Sequence, residues 1–204
     1  MSLSFSAFSR VFLPLLLTAG VSVPAWSQEA VLAGAQQVRF ETTMGTFTVE
    51  VDPVRAPLTA ASFLQYTRDQ HYDGTMFHRV IGNFVIQGGG YLPDGTEKPV
   101  RGAVSNESGN GLSNRRGTVA LARTGDPHSG TSQFYVNVAD NIALDPSPAR
   151  WGYAVFGRVV EGMDVIDRIA SVATGSRATF EEDTPLQSVV ITTARVVGEA
   201  ATPQ

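Results

Sequence analysis

A series of short β-forming segments is the strongest limit on the fold of this chain. Each segment alternates apolar and polar side chains or is rich in β-branched and aromatic residues, and loops rich in Gly, Asn, Ser and Pro separate them. Only residues 58–70 and 162–170 carry apolar side chains at helical spacing. The pattern predicts two helices and eight strands, at residues 38–43, 46–51, 75–81, 84–87, 117–122, 133–138, 153–159 and 188–197.

This pattern favours a mainly β fold, a closed eight-stranded antiparallel barrel capped by two α-helices. Closure removes the strand edges that would otherwise pair with other chains. With eight strands, the barrel interior is just wide enough to be filled by side chains. We therefore expect any ligand to bind on the outer wall. We also expect one domain at residues 38–198, after a lead-in at 28–37 and before a tail at 199–204.

The first 27 residues have the layout of a secretory signal peptide. One basic residue, Arg10, precedes an apolar run at residues 11–17, and small residues lead to a predicted cleavage site after Ser27. Two prolines and a glycine interrupt the apolar stretch, which falls short of the roughly 20 continuous apolar residues that span a bilayer. The sequence predicts a periplasmic protein, with secretion as the alternative, and no membrane contact after cleavage.

Composition argues against several classes of function. Of 15 basic and 19 acidic residues, cleavage after residue 27 would remove only one, a basic residue, so the mature chain has a net charge of −5 and we expect no nucleic-acid partner. The absence of cysteine excludes thiol catalysis and thiolate zinc sites. Because His71, His78 and His128 show no ligand spacing, we expect no metal and no other cofactor. We expect a monomer.

Four ordered sequence blocks carry the strongest functional signal. The first places Phe77-His78-Arg79 and Gln87-Gly88-Gly89-Gly90 on two neighbouring β-forming segments, and the others lie at residues 117–124, 130–136 and 153–159. Together they resemble the signature of the cyclophilins, which are peptidyl-prolyl cis-trans isomerases. The resemblance implies a barrel capped by two helices, an active groove on the barrel wall, and isomerase activity on X-Pro peptide bonds.

This activity makes and breaks no covalent bond. Rotation about an X-Pro bond is opposed by amide resonance, with a barrier of about 18–20 kcal/mol. A permanently charged, planar guanidinium can bond the prolyl carbonyl oxygen while favouring the lone pair that emerges on the twisted imide nitrogen. Within the motif, Arg79 is therefore the predicted catalytic residue. The alternative is a strand arginine that serves only in a surface ion pair.

The resemblance assigns the proline ring to a shallow apolar pocket. Its predicted walls are Phe84, Val85, Tyr135 and Leu144. The family usually has phenylalanine where Tyr135 stands, so we expect its hydroxyl to make the pocket edge more polar. Tyr153 stands at the pocket edge where family members often carry histidine, a substitution that resembles the bacterial branch.

Four further residues would bind the peptide chain on either side of the proline. Gln87 and Gln133 carry neutral amides that donate and accept, and they would hold the peptide backbone without competing electrostatically with Arg79. Ala122 and Arg123 lie where the family presents main-chain groups to an extended substrate. We expect their contribution to come from backbone hydrogen bonds, whatever the side chain.

The expected partners are unfolded or extended proline-containing polypeptides, and the expected role is to assist the folding of exported proteins. A proline-peptide-binding chaperone module with little catalysis is the alternative interpretation. The same groove would serve both functions, since each must hold an extended segment. Arg79 distinguishes them, because a module that only binds has no need of a cation over the imide nitrogen.

Overall fold

The computed structural model describes residues 1, 35–177 and 180–199. The predicted signal peptide beyond its first residue, most of the lead-in at 28–37 and most of the tail at 199–204 lie outside the described residues. Within the described ranges, no helix is long and apolar enough to cross a membrane.

Ten strands and two α-helices make up the described chain, and a short 3-10 helix at Ile142–Leu144 lies between the sixth and seventh strands. In chain order they are β1 (Gln36–Thr42), β2 (Gly45–Val51), α1 (Pro57–Arg68), β3 (Met76–Ile81), β4 (Val85–Tyr91), β5 (Thr118–Leu121), β6 (Phe134–Asn137), β7 (Val155–Glu161), α2 (Met163–Ala170), β8 (Thr174–Arg177), β9 (Phe180–Pro185) and β10 (Ile191–Val196).

Eight of the strands form one sheet in the order β10-β1-β2-β7-β5-β6-β4-β3, and every pair is antiparallel. The two outer strands meet without a full ladder. Met76 and Val190 form an isolated bridge, and the Phe77 amide donates to the Val189 carbonyl over 3.0 Å. The prediction of eight antiparallel strands and two helices is confirmed. Full closure of the barrel was overstated, because the chain just before β10, where it meets β3, is irregular.

The strands β8 and β9 form a separate two-stranded sheet that the sequence pattern did not predict. Their segments are largely polar, so they lack the apolar-polar alternation that marks a strand with one buried face. We call the pair of β8 and β9 the polar hairpin. It packs beside β3 and therefore lies next to the predicted site.

Aromatic rings fill the inside of the curved sheet. Phe40 and Phe47 are fully buried and stack with their ring centroids 4.8 Å apart. The helix α1 contributes Phe63, whose ring lies 4.8 Å from that of Phe156. Such interlocked rings bury large apolar areas and stabilise the fold. A ligand therefore has to bind on the outer wall, where the site residues lie.

Candidate active site

Nine of the ten predicted site residues line a single cavity of about 320 Å³. They come from β3, β4 and β6, from the turn between β3 and β4, from the chain just after β5 and just before β7, and from the 3-10 helix, so the fold brings together residues that are far apart in the chain. The nine residues are Arg79, Phe84, Val85, Gln87, Ala122, Arg123, Tyr135, Leu144 and Tyr153. We call this cavity the wall pocket.

A β-bulge turns Arg79 towards the wall pocket. The register between β3 and β4 shifts between Phe77 and Arg79, which leaves His78 as an extra residue. In a regular strand, Phe77 and Arg79 would point to the same face. With the bulge, Phe77 and Val80 are both buried in the core, while the Arg79 side chain is 40% exposed. The catalytic candidate is thus aimed outward by local backbone geometry.

The Arg79 guanidinium lies near both an aromatic ring and a carboxylate. Its central carbon is 5.9 Å from the centre of the Phe84 ring, within the range of a cation-π contact. Its Nε lies 3.9 Å from Oδ2 of Asp183 in the polar hairpin. Arg79 thus does make the surface ion pair of the alternative interpretation, but it also lines the wall pocket.

The floor of the wall pocket is a small apolar cluster separate from the main core. Its buried members are Val85, Ala120, Ala122, Tyr135 and Val155. Phe84, Leu144 and Tyr153 are partly exposed and pack around this floor. A buried apolar floor with partly exposed walls suits a small apolar ring that must leave its flanking chain in water.

The Tyr135 hydroxyl points away from the solvent. It donates to Oδ1 of Asn114 over 2.7 Å, and the same oxygen accepts from Asn137 Nδ2 over 3.2 Å. Burial, reinforced by the nearby Tyr153, raises the pKa of Tyr135. The expectation that this hydroxyl makes the pocket edge more polar is therefore wrong, because Asn114 satisfies it inside the protein.

Gln133 is the one predicted site residue that does not line the wall pocket. Its Oε1 accepts a hydrogen bond from Nε2 of Gln87 over 3.0 Å, so Gln133 orients the side-chain amide of Gln87, which does line the pocket. The side chain runs across Gly90, where an added Cβ would come within 2.7 Å of the Gln133 Cγ. The third glycine of the motif therefore makes room for this pair of amides.

The Arg123 side chain closes the other end of the wall pocket. Its guanidinium lies over the Tyr153 ring, with the central carbon 4.4 Å from the ring centre. Nε and one Nη donate to the carbonyls of Gly152 and Trp151, over 3.2 and 3.0 Å. The sequence motifs predicted only a main-chain role for this position and not the side-chain contact, because a pattern does not show which ring lies beneath the guanidinium.

The loop between β4 and β5 anchors the Leu144 turn from behind. Oδ1 of Asp145 accepts from the backbone and side-chain amides of Asn114, over 2.7 and 2.9 Å, and its Oδ2 accepts from Ser113. Burial alone would raise the pKa of Asp145, but these hydrogen bonds outweigh it and hold the pKa below its ordinary value. Nothing in the sequence marked Asn114, since asparagine is common in loops.

Metal-ligand geometry is not seen in the part of the chain that the structure describes. There, no three His, Asp or Glu side chains come together in a way that could hold an ion. The groups available at the wall pocket are the guanidiniums of Arg79 and Arg123, the side-chain amide of Gln87, and an apolar floor.

Comparisons with known proteins agree with this fold. The profile of the family described as cyclophilin type peptidyl-prolyl cis-trans isomerase/CLD matches residues 37–196. Peptidyl-prolyl cis-trans isomerase cyp18 of Streptomyces antibioticus is 50% identical, over 79% of this chain and 98% of the relative. Peptidyl-prolyl cis-trans isomerase B of Escherichia coli (strain K12) is 46% identical, over 78% of this chain and 98% of the relative.

One similar solved structure is a cyclophilin type peptidyl-prolyl cis-trans isomerase of Cryptosporidium parvum, crystallised in the presence of the dipeptide Ala-Pro. It is 24% identical, with a TM-score of 0.68, and the match covers 80% of this chain and 100% of that one. At this identity the likeness shows the fold.

Proposed function

This chain belongs to the cyclophilin-type peptidyl-prolyl cis-trans isomerases, and we propose that it catalyses rotation about X-Pro bonds at the wall pocket, with Arg79 as the catalytic residue. The observation that carries the proposal is the convergence of Arg79, apolar walls and a neutral amide on one cavity. A positive charge beside an apolar floor would stabilise a twisted prolyl amide, since the proline ring is apolar and the amide nitrogen has become basic.

In the proposed mechanism, the proline ring rests on the floor between Phe84 and Leu144. The Nη groups of Arg79 donate to the prolyl carbonyl oxygen and face the imide nitrogen as it becomes pyramidal. The Gln87 amide, oriented by Gln133, holds the backbone next to the proline. Lowering the barrier by roughly 7 kcal/mol through these contacts would accelerate rotation about 10⁵-fold.

The proposed substrates are unfolded or extended polypeptides that contain proline. The Ala-Pro dipeptide present with the Cryptosporidium parvum relative supports this ligand class. An open cavity of about 320 Å³ is large enough for a proline ring with its flanking peptide groups, and backbone contacts leave the identity of the preceding residue free.

A peptide titration followed by NMR tests where the substrate binds. Adding an Ala-Pro-containing peptide to the protein should shift the amide resonances of Val85, Gln87 and Tyr135. The described chain offers two other cavities as internal controls, one between residues 43–44 and 186–189 and one at residues 146–151. Shifts confined to either control cavity would contradict the proposed site.

The folding of exported proteins is the proposed physiological role. Residues 1–27 support it, because their layout is that of a secretory signal peptide. The mature chain would begin at Gln28 and act as a monomer in the periplasm. Mass spectrometry of protein from fractionated cells should find that N-terminus in the periplasmic fraction, and full-length protein confined to the cytoplasm would refute the export.

A further inference from the structure

The polar hairpin is attached to the bulge that aims Arg79. Oγ1 of Thr184 donates to the backbone carbonyl of His78, the extra residue of the bulge, over 2.8 Å. The Phe180 ring lies 5.4 Å from the His78 ring and helps to bury it. The position of the hairpin is therefore set by β3 at the very residue that precedes Arg79.

Asp183 stands next to this attachment in an unusual backbone conformation. Its φ is +58°, in the left-handed region that few residues other than glycine adopt and that Asp and Asn tolerate better than most. Because the following residue, Thr184, is tied to β3, the direction of the Asp183 side chain is constrained. That direction brings Oδ2 to within 3.9 Å of Arg79 Nε.

The contact with Asp183 uses one edge of the Arg79 guanidinium and leaves the rest of the guanidinium available to a substrate. The nearest approach is to Nε, while the Phe84 ring lies beside the central carbon. Arginine has one of the largest side-chain entropies, so a free Arg79 would spend most of its time in orientations that do not face the substrate. A fixed carboxylate on one edge and a ring at the side restrict those orientations.

We propose that Asp183 is a positioning residue for Arg79, and that the polar hairpin serves the isomerase by holding this carboxylate at the edge of the wall pocket. The inference rests on the proposed catalytic role of Arg79. Asp183 itself does not touch the substrate; it acts by keeping the Nη groups of Arg79 turned towards the prolyl carbonyl oxygen, which should affect turnover more than peptide binding.

The variant Asp183→Asn tests this, because asparagine tolerates the same φ and has nearly the same size but no charge. NMR exchange on an Ala-Pro peptide should show catalysed turnover lowered about threefold to fivefold, with peptide Kd changed less than twofold. Asp183→Gly, which also accepts this φ, should give the same result if the first variant folds poorly. Glu41→Gln is the matched control, since Glu41 lies 4.0 Å from Arg39 in another exposed ion pair.

The double variant with Arg79→Ala separates positioning from a merely structural effect. If Asp183 acts through Arg79, then adding Asp183→Asn to Arg79→Ala should cause no further loss of turnover. If Arg79→Ala alone is slow, either of two results would overturn the inference. One is unchanged or faster turnover in Asp183→Asn, and the other is a double variant whose loss of turnover is the product of the two single losses. Normal turnover in Arg79→Ala would instead overturn the proposed catalytic role and the inference with it.

Discussion

Two side chains that line the wall pocket are fixed by partners behind it. Gln87 is oriented by Gln133, and the Tyr135 hydroxyl is held by Asn114. These partners are buried or half-buried and do not line the wall pocket, so they restrict the pocket residues from behind. At the level of single residues, the site therefore depends on groups that do not line the pocket.

The Tyr135→Phe variant should separate stability from binding. Removing the hydroxyl leaves Oδ1 of Asn114 with one donor fewer, so the free energy of unfolding should fall by about 1 kcal/mol. Isomerisation and peptide affinity should stay within twofold, because the hydroxyl faces the interior. Urea unfolding and an Ala-Pro peptide assay measure the two effects.

Tyr72→Phe is the control for this prediction, because its hydroxyl also donates to a buried partner, the Ser132 carbonyl, but does not line the wall pocket. It should cost a similar free energy and leave the activity unchanged. A loss of peptide affinity of about fivefold or more in Tyr135→Phe alone would mean that the hydroxyl faces the ligand after all.

At the level of strands and loops, the sequence predicts what depends on local patterns and misses what depends on pairing. The hairpin of β1 and β2 could be predicted because apolar residues such as Phe47 and Val49 alternate with polar ones. The bulge at His78 could not, because it arises from the register between two strands and has no signature of its own in the sequence.

The same distinction applies to the site. The motifs predicted most residues of the wall pocket because all of those residues except Leu144 lie in ordered blocks along the chain. They did not predict Asp183, which reaches Arg79 from a polar hairpin about a hundred residues later in the sequence. Nor did they predict the Arg123 cation over Tyr153, since a stacking contact is set by the tertiary fold.

For the molecule as a whole, a buried histidine beside a permanent cation should make stability depend on pH. His78 is almost fully buried, and its Nδ1 has no hydrogen-bond partner among the described residues. Burial, with the positive charge of Arg79 adding to it, lowers the pKa of His78 to about 4. In the unfolded chain this pKa returns to about 6.5.

Between these two pKa values the unfolded chain binds a proton that the native protein does not. The contribution of His78 is therefore fully present above about pH 6.5 and is lost as the pH falls towards 4. Urea unfolding should show a loss of about 2 kcal/mol between pH 7.5 and pH 5 from this group. The lowered pKa of His71, also due first to burial, acts in the same direction.

The His78→Gln variant should flatten this pH dependence, whatever its effect on stability at pH 7.5. The unmodified protein, unfolded over the same pH range, is the reference. If His78→Gln and the unmodified protein lost the same free energy between pH 7.5 and pH 5, the histidine would not be the cause.

The central claim is that Arg79 lowers the rotation barrier and does more than hold the peptide. It is tested most directly by NMR exchange on an Ala-Pro peptide, which reports the catalysed rate and the peptide affinity in one sample. Arg79→Ala should slow turnover by about a hundredfold or more and change the Kd less than about fivefold. Arg79→Lys, which keeps the charge but not the planar donors, should have a turnover between those of the unmodified protein and Arg79→Ala. An equal loss of rate and affinity would contradict the account and favour a chaperone that only binds.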